Sequence, residues 1–386
     1  MKVVIAIDSF KGSLSSMEAG EAAKEGVYRA WQNAKIVVRP VADGGEGTTR
    51  TLVDGLGGTY RTVKVTGPDG KPVQAQYGVL PDGETVVMEM AEAAGITLVP
   101  AEQLNPRHAT TFGVGEMIRD AVERGGRNFI IGIGGSATTD GGTGMLKALG
   151  CRFYDEKGDP IAEGIEELDK IARIDQTGMM SELSECRFQI ACDVTNPLCG
   201  EQGAVYVYGP QKGVKEAEKE ELDAKMRHFA RQTQEVLKKD YCDVPGAGAA
   251  GGLGFAFVSY VPNVTMKSGI EIIIDAVGLE QEIRDADIVI TGEGRIDGQT
   301  AMGKLPAGIA GIAKKYGKPV IAFAGSVSED AGDCNRAGID AFFPIIRGIT
   351  TLEKAMRSEE AEKNLTSSTE QVFRLLKVIW QPKNGE

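Results

Sequence analysis

The sequence predicts an α/β protein of two lobes, one Rossmann-like around a parallel sheet and the other an α/β lobe on a mixed sheet. Three observations carry this. Short runs rich in Val and Ile are almost continuously apolar, as strands covered on both faces of a parallel sheet are. Helical stretches alternate with those runs. Between residues 59 and 90 the pattern changes to apolar–polar alternation, broken by the turns GPDG and LPDG, which marks antiparallel hairpins.

Taken in order, KVVIAID (2–8) opens the chain as a strand. The helix SSMEAGEAAKEGVYRAW follows, with Ser15 and Glu18 spaced for a capping box. KIVVRPV (35–41) is the second strand, and the hairpin region 59–90 comes next. TFGVGEMIRDAVERG (111–125) reads as a helix before the strand FIIGIG (129–134), and FQIACD (188–193) as a further strand. QGAVYVYGPQKG (202–213) is expected to add a second antiparallel patch. The charged run 215–239 is expected to be a solvated surface helix. DIVITG (287–292), PVIAFAG (319–325) and AFFPI (341–345) are strands, with the helix KLPAGIAGIAKKYG (304–317) among them. The simplest assembly is discontinuous: residues 1–60 with 285–386 form the Rossmann-like lobe, and 61–284 form an inserted mixed-sheet lobe. The active site is then expected in the cleft between lobes.

The 386 residues suffice for two cores. With 43 basic and 55 acidic residues the formal charge is −12. That surface disfavours nucleic acid and anionic membrane, while a local basic pocket still admits a small anion. No stretch of 18 apolar residues and no signal-peptide pattern is present, so no membrane partner and a cytoplasmic location are expected. Six cysteines without a CxxC pair, and two histidines, do not suit a zinc site. Glycine is the outlier at 51 residues, nearly twice the usual share of about 7%. It clusters just after strand-like runs, where ligand-binding loops of α/β sheets gather.

Five such loops hold chemistry-bearing residues. In DSFKGS, Asp8 ends the first strand and Lys11 precedes a helix start that favours an anion. In VADGGEGT, Asp43 and Glu46 sit among three glycines that let a ligand approach the backbone. Glu46 suits a helix N-terminus on its own account. GIGGSATTDGGTG offers Gly134, Gly135 and Ser136 as a nest of amides and a hydroxyl for phosphate. Its match to a dinucleotide fingerprint is incomplete, since Ala137 replaces the third glycine. In CDVTNPLCG, Asp193 ends a strand. TGEGRIDGQTAMGKLP brings Glu293, Arg295, Asp297 and Lys304 within twelve residues. Its GQTAMGK spacing is that of a P-loop, but Leu305 replaces the magnesium-binding hydroxyl. No nucleophile–histidine pair is visible. Acids, amide nests and strong cations suit metal-assisted phosphoryl transfer, in which positioning and electrostatics carry most of the rate.

The five segments AIDSFKGSLSS, PVADGGEGT, GIGGSATTDGG, CDVTNPLCG and TGEGRIDGQTAMGK together resemble the type-1 glycerate kinase family, over residues 2 to about 375. The resemblance implies ATP and Mg2+ as cofactors, D-glycerate as the small-molecule substrate, and 2-phosphoglycerate or 3-phosphoglycerate as product. It also implies two α/β lobes around a cleft. Within that frame, Lys11 with the 132–136 amides, or Arg295, would meet the glycerate carboxylate. Asp43 or Asp193 would accept or orient the proton of the attacking hydroxyl. Asp8, Glu293 and Asp297 would hold magnesium or its waters. Lys304 with Gly134, Gly135 and Ser136 would meet the triphosphate. A kinase for another small hydroxy acid, a two-lobe acid-binding protein and a dehydrogenase are the competing readings.

Overall fold

The computed structural model describes residues 1–42 and 47–380. In chain order, β1 (Lys2–Ile7), α1 (Ser16–Ala30), β2 (Lys35–Val38) and α2 (Thr48–Leu56) come first. The hairpin strands β3 (Thr59–Thr66), β4 (Pro72–Val79) and β5 (Thr85–Glu89) follow, then α3 (Ala91–Ala94), α4 (Phe112–Glu123), β6 (Asn128–Gly132) and α5 (Thr143–Ala148). The middle of the chain holds β7 (Arg152–Tyr154), β8 (Arg173–Asp175), β9 (Arg187–Ala191), α6 (Ala204–Tyr208), α7 (Lys219–Leu237), α8 (Ala249–Tyr260) and β10 (Val264–Lys267). The last part holds α9 (Gly269–Ala276), α10 (Leu279–Arg284), β11 (Ile288–Ile296), α11 (Leu305–Lys315), β12 (Val320–Val327), α12 (Asp333–Arg336), β13 (Ala341–Pro344), α13 (Leu352–Ala355) and α14 (Ser358–Trp380).

The chain packs as two compact units. Met1–Asp43, Arg50–Leu56 and Ile270–Glu386 form the first; Gly44–Thr49 and Gly57–Gly269 form the second. The helices α9 and α10, within the stretch 269–284 assigned from sequence to the inserted lobe, thus fall almost wholly in the first unit.

The first unit is built on a parallel sheet of order β13-β12-β11-β1-β2. Its interior strand β1 is apolar throughout Val3–Ile7 because neighbours cover both faces, and all five residues are fully buried. The crossover through α1 places β2 on one side of β1, whereas β11, β12 and β13 build outward on the other side. The order in which strands are added to the sheet therefore reverses between β1 and β11. The core gathers Ile5, Ile7, Val27, Ile290, Phe323, Leu365 and Phe373. Ser15 caps α1 through a capping box with Glu18, as the spacing implies.

The second unit holds a six-stranded sheet of order β10-β9-β6-β5-β4-β3. β3, β4 and β5 pair antiparallel through the two expected turns, and β5, β6, β9 and β10 run parallel. The registers Glu89–Gly132 and Gly132–Ala191 bring three carboxyl ends level. β7 and β8 form a separate antiparallel pair. Phe129 stacks on Phe188 at 4.8 Å, and Phe229 meets Phe153 and Phe255 edge-on.

Two expectations are corrected. The segment 202–213 is not a strand patch: AVYVY forms the short helix α6, and Pro210–Lys212 a 3-10 turn. Ala204 and Val205 are buried, and a Cβ on Gly203 would come within 2.5 Å of the Cys199 backbone, so close packing overrides the local strand preference. The run 215–239 is more than a solvated helix. α7 buries Leu222, Met226, Phe229, Ala230 and Thr233, a stripe at helical spacing that reaches the core. All six cysteines are free, and no described helix is long and apolar enough to cross a membrane.

Candidate active site

In the first unit a cavity of about 460 Å³ opens at the carboxyl ends of β1, β11 and β12 and beside the residues that follow β13. This is the crevice expected at the point where a parallel sheet reverses its order. Asp8, Lys11, Glu293, Arg295, Asp297 and Lys304 all line it. Six sequence candidates from two distant loops are thus brought to one place. The same cavity is also lined by an apolar set, Ile345, Ile346, Leu352 and Met356, which sequence reading did not identify. Those residues look like ordinary helix and strand positions, and only the fold turns them toward one cavity.

Asp8 is buried where β1 ends; its backbone N–H donates to the Gly292 carbonyl of β11, and its carboxylate accepts from the Ser9 N–H at 2.7 Å. β11 runs to Ile296, four residues past its expected end, with Arg295 paired to Ser326 of β12. Glu293 therefore lies on a strand and not in a loop. Its carboxylate accepts from the hydroxyl of the buried Thr300 at 2.6 Å. The same hydroxyl accepts from the Asp297 N–H at 3.1 Å, and Asp297 accepts from the N–H of Gln299 at 3.0 Å. Thr300, also missed from sequence, locks the two acids together. Arg295 and Lys304 approach Asp297 only to 3.7 and 3.8 Å, beyond normal hydrogen-bond length, so both cations can turn to a ligand. Lys304 stands at the N-cap of α11, after a 3-10 turn over Thr300–Met302. That turn distinguishes the loop from a P-loop despite its spacing.

In the second unit the residues after β6 carry the glycine-rich turn. Gly134 and Gly135 are exposed, and a Cβ on Gly134 would meet nothing within 4 Å, so the backbone is open to a ligand. Ser136 is buried and accepts a hydrogen bond from Lys212 Nζ at 2.8 Å. The neighbouring Asp140 is fully buried. Its carboxylate accepts from the Thr111 N–H and hydroxyl and from the N–H groups of Gly142 and Gly144. Burial pushes its pKa up, but four donors show a pocket built for the carboxylate. Asp193 is exposed just past β9 and accepts from the Gly269 N–H at 3.0 Å. Glu89, unremarked in sequence, ends β5 and accepts from the N–H groups of Gly47 and Thr49 at 3.3 and 2.9 Å, so a carboxylate supports the start of α2. Asp43 and Glu46 lie outside the described residues. His228 bonds the Ile171 carbonyl on α7, a structural role.

The first-unit cavity offers carboxylates, two cations loosely held and an apolar wall, which together suit a ligand with polyanionic and planar apolar parts. Among the described residues no group of three or more acids, cysteines or histidines is close enough to hold a metal by itself. Asp8, Glu293 and Asp297 still fit magnesium, which commonly takes one or two carboxylates and completes its shell with water and phosphate.

The model of the glycerate kinase family matches residues 3–377. The chain is 48% identical to a glycerate 2-kinase of Escherichia coli (strain K12) over 92% of this chain and 93% of that one. It is 46% identical to a glycerate kinase of Haemophilus influenzae over 97% of this chain and 99% of that one. A crystal structure of a candidate glycerate kinase 2 from Salmonella typhimurium LT2 superposes with a TM-score of 0.90 at 45% identity, covering 99% of this chain and 100% of that chain.

Proposed function

The chain belongs to the glycerate kinase family, and from that premise we propose that it phosphorylates D-glycerate on its 2-hydroxyl, with ATP as donor and ADP released. The observation within the molecule that supports this reading is the cavity at the sheet's reversal point, where acids, cations and an apolar wall converge.

In this reading Lys304 and Arg295 contact the triphosphate oxygens, and Ile345, Ile346, Leu352 and Met356 form the wall for adenine. Arg295 or Lys11 receives the glycerate carboxylate. One or two of the Asp8, Glu293 and Asp297 carboxylates would hold magnesium, the remainder meeting its waters. Bound magnesium would neutralise charge on the phosphoryl group being transferred. Thr300 keeps the Glu293 and Asp297 carboxylates in one orientation, so they need not reorganise during transfer. In the second unit Gly134, Gly135 and Ser136 present amides and a hydroxyl to anionic oxygens. Asp193, or Asp43, accepts the proton as the glycerate hydroxyl oxygen bonds to the γ-phosphorus and the bond to the ADP oxygen breaks.

Rates of ADP release with D-glycerate, L-glycerate, lactate and tartrate test the reading. D-glycerate is expected to give the highest kcat/KM, with activity lost when a chelator removes divalent cations. A higher kcat/KM for another acid would overturn the substrate assignment.

A further inference from the structure

Lys212 is a lysine with only 1% of its surface exposed. Its ammonium donates to Ser136 Oγ at 2.8 Å and to the Thr138 carbonyl at 2.6 Å. Both partners are neutral. No carboxylate among the described residues lies within ion-pair distance of it. Asp140 is the nearby charge, but its oxygens accept from Thr111, Gly142 and Gly144. A buried ammonium so placed costs stability, and an apolar residue of similar length would be cheaper. The retained charge calls for a role beyond packing.

The geometry supplies one. Protonated, the Lys212 side chain has donors and no acceptor, so in that form it occupies a lone pair of Ser136 Oγ and cannot take its proton. Among the described residues Ser136 Oγ makes no other hydrogen bond. The hydroxyl proton is thereby directed away from Lys212, in a turn whose neighbours Gly134 and Gly135 are open to solvent. We propose that Lys212 is a positioning residue that holds the Ser136 hydroxyl as an obligate donor to an anionic oxygen of the substrate, either the glycerate carboxylate or a phosphate of ATP. This rests on the kinase reading above, in which the 134–136 turn contacts anionic oxygens. The positive charge beneath the turn also favours such an oxygen without touching it.

The test compares wild type, Lys212→Met, Lys212→Arg, Ser136→Ala and the double variant Lys212→Met/Ser136→Ala in steady-state kinetics at about pH 6, where Lys212 carries its proton. Far-ultraviolet circular dichroism and Tm check folding. Loss of one hydrogen bond to a charged group predicts a KM about tenfold higher or more for one substrate, with kcat changed much less. Ser136→Ala and Lys212→Met should raise the same KM. The double variant should add little to either single change, because both act through one hydroxyl. A raised KM for D-glycerate identifies the carboxylate as the partner, and a raised KM for ATP identifies a phosphate. Lys212→Arg, which keeps the charge and the donors, should recover part of the loss if it folds. Ser136→Ala leaves the buried charge in place, so it decides the matter even where Lys212→Met does not fold: both KM values unchanged would overturn the proposal. Fully additive effects of the two single changes would also overturn it. A wild-type protein inactive on D-glycerate would remove the kinase reading and this proposal together. An active wild type with an unaltered Ser136→Ala would remove this proposal alone.

Discussion

Lys304 and Lys212 show how differently one residue type is used. Lys304 lines the cavity, and its ammonium sits 3.8 Å from Asp297, available to a triphosphate. Lys304→Ala should raise the KM for ATP about tenfold while leaving that for D-glycerate nearly unchanged, as loss of one charge-assisted bond implies. Initial rates at varied ATP check this, and an unchanged ATP KM would make its position incidental. Lys212 is instead desolvated: burial pushes its pKa from 10.5 down to about 7, with Asp140 partly opposing the shift. Between those values the unfolded chain binds the proton and the folded chain does not. Stability therefore rises with pH across that window, and the penalty for the buried ammonium is in full force below about pH 7. The Tm of wild type should gain on that of Lys212→Met between pH 7 and pH 10; a constant difference would contradict it. At this scale Asp8, Lys11, Glu293, Arg295, Asp297 and Lys304 were legible because acids and cations after strand-like runs have few structural uses. Lys212, in the polar string GPQKG, was not. Nothing local distinguishes it from a surface lysine, and only packing around α6 and the 132–140 turn removes its water.

The elements near the cavity depend on close backbone approach. On β11 a Cβ at Gly292 would lie 2.1 Å from the Phe323 carbonyl of β12, whereas at Gly294 the nearest atom is 3.6 Å away. Gly292→Ala should therefore destabilise by about 2 kcal/mol or more through overpacking. Gly294→Ala should fold with nearly wild-type stability and reveal itself through KM, since it narrows the cavity. Denaturant midpoints for the two variants check the contrast, and equal midpoints would show that the strand pair yields easily. The strands and main helices were readable because period and propensity agreed. Ser15 and Glu18 marked the start of α1 from spacing alone. The helix α6 was misread because AVYVY is strand-like locally and becomes helical only where Gly203 packs on Cys199. In α8 the first turn is left-handed over Ala250, Gly251 and Gly252; the sequence GAGAAGG signals freedom there without its direction.

Over the whole molecule, the two predicted sheets are present, one wholly parallel and one mixed. The acidic net charge of −12 coexists with a cavity that gathers Lys11, Arg295 and Lys304. That arrangement suits anionic metabolites, because local fields override the global sign. The family relationship over residues 3–377 joins this geometry to glycerate phosphorylation. The position of the new phosphate tests the account most directly. The purified protein would be incubated with Mg-ATP and D-glycerate, and the product examined by phosphorus and proton NMR. The account predicts phosphorus coupled to the single C2 proton, which identifies 2-phospho-D-glycerate. Coupling to the two C3 protons, or no phosphorylated product from the folded protein, would contradict it.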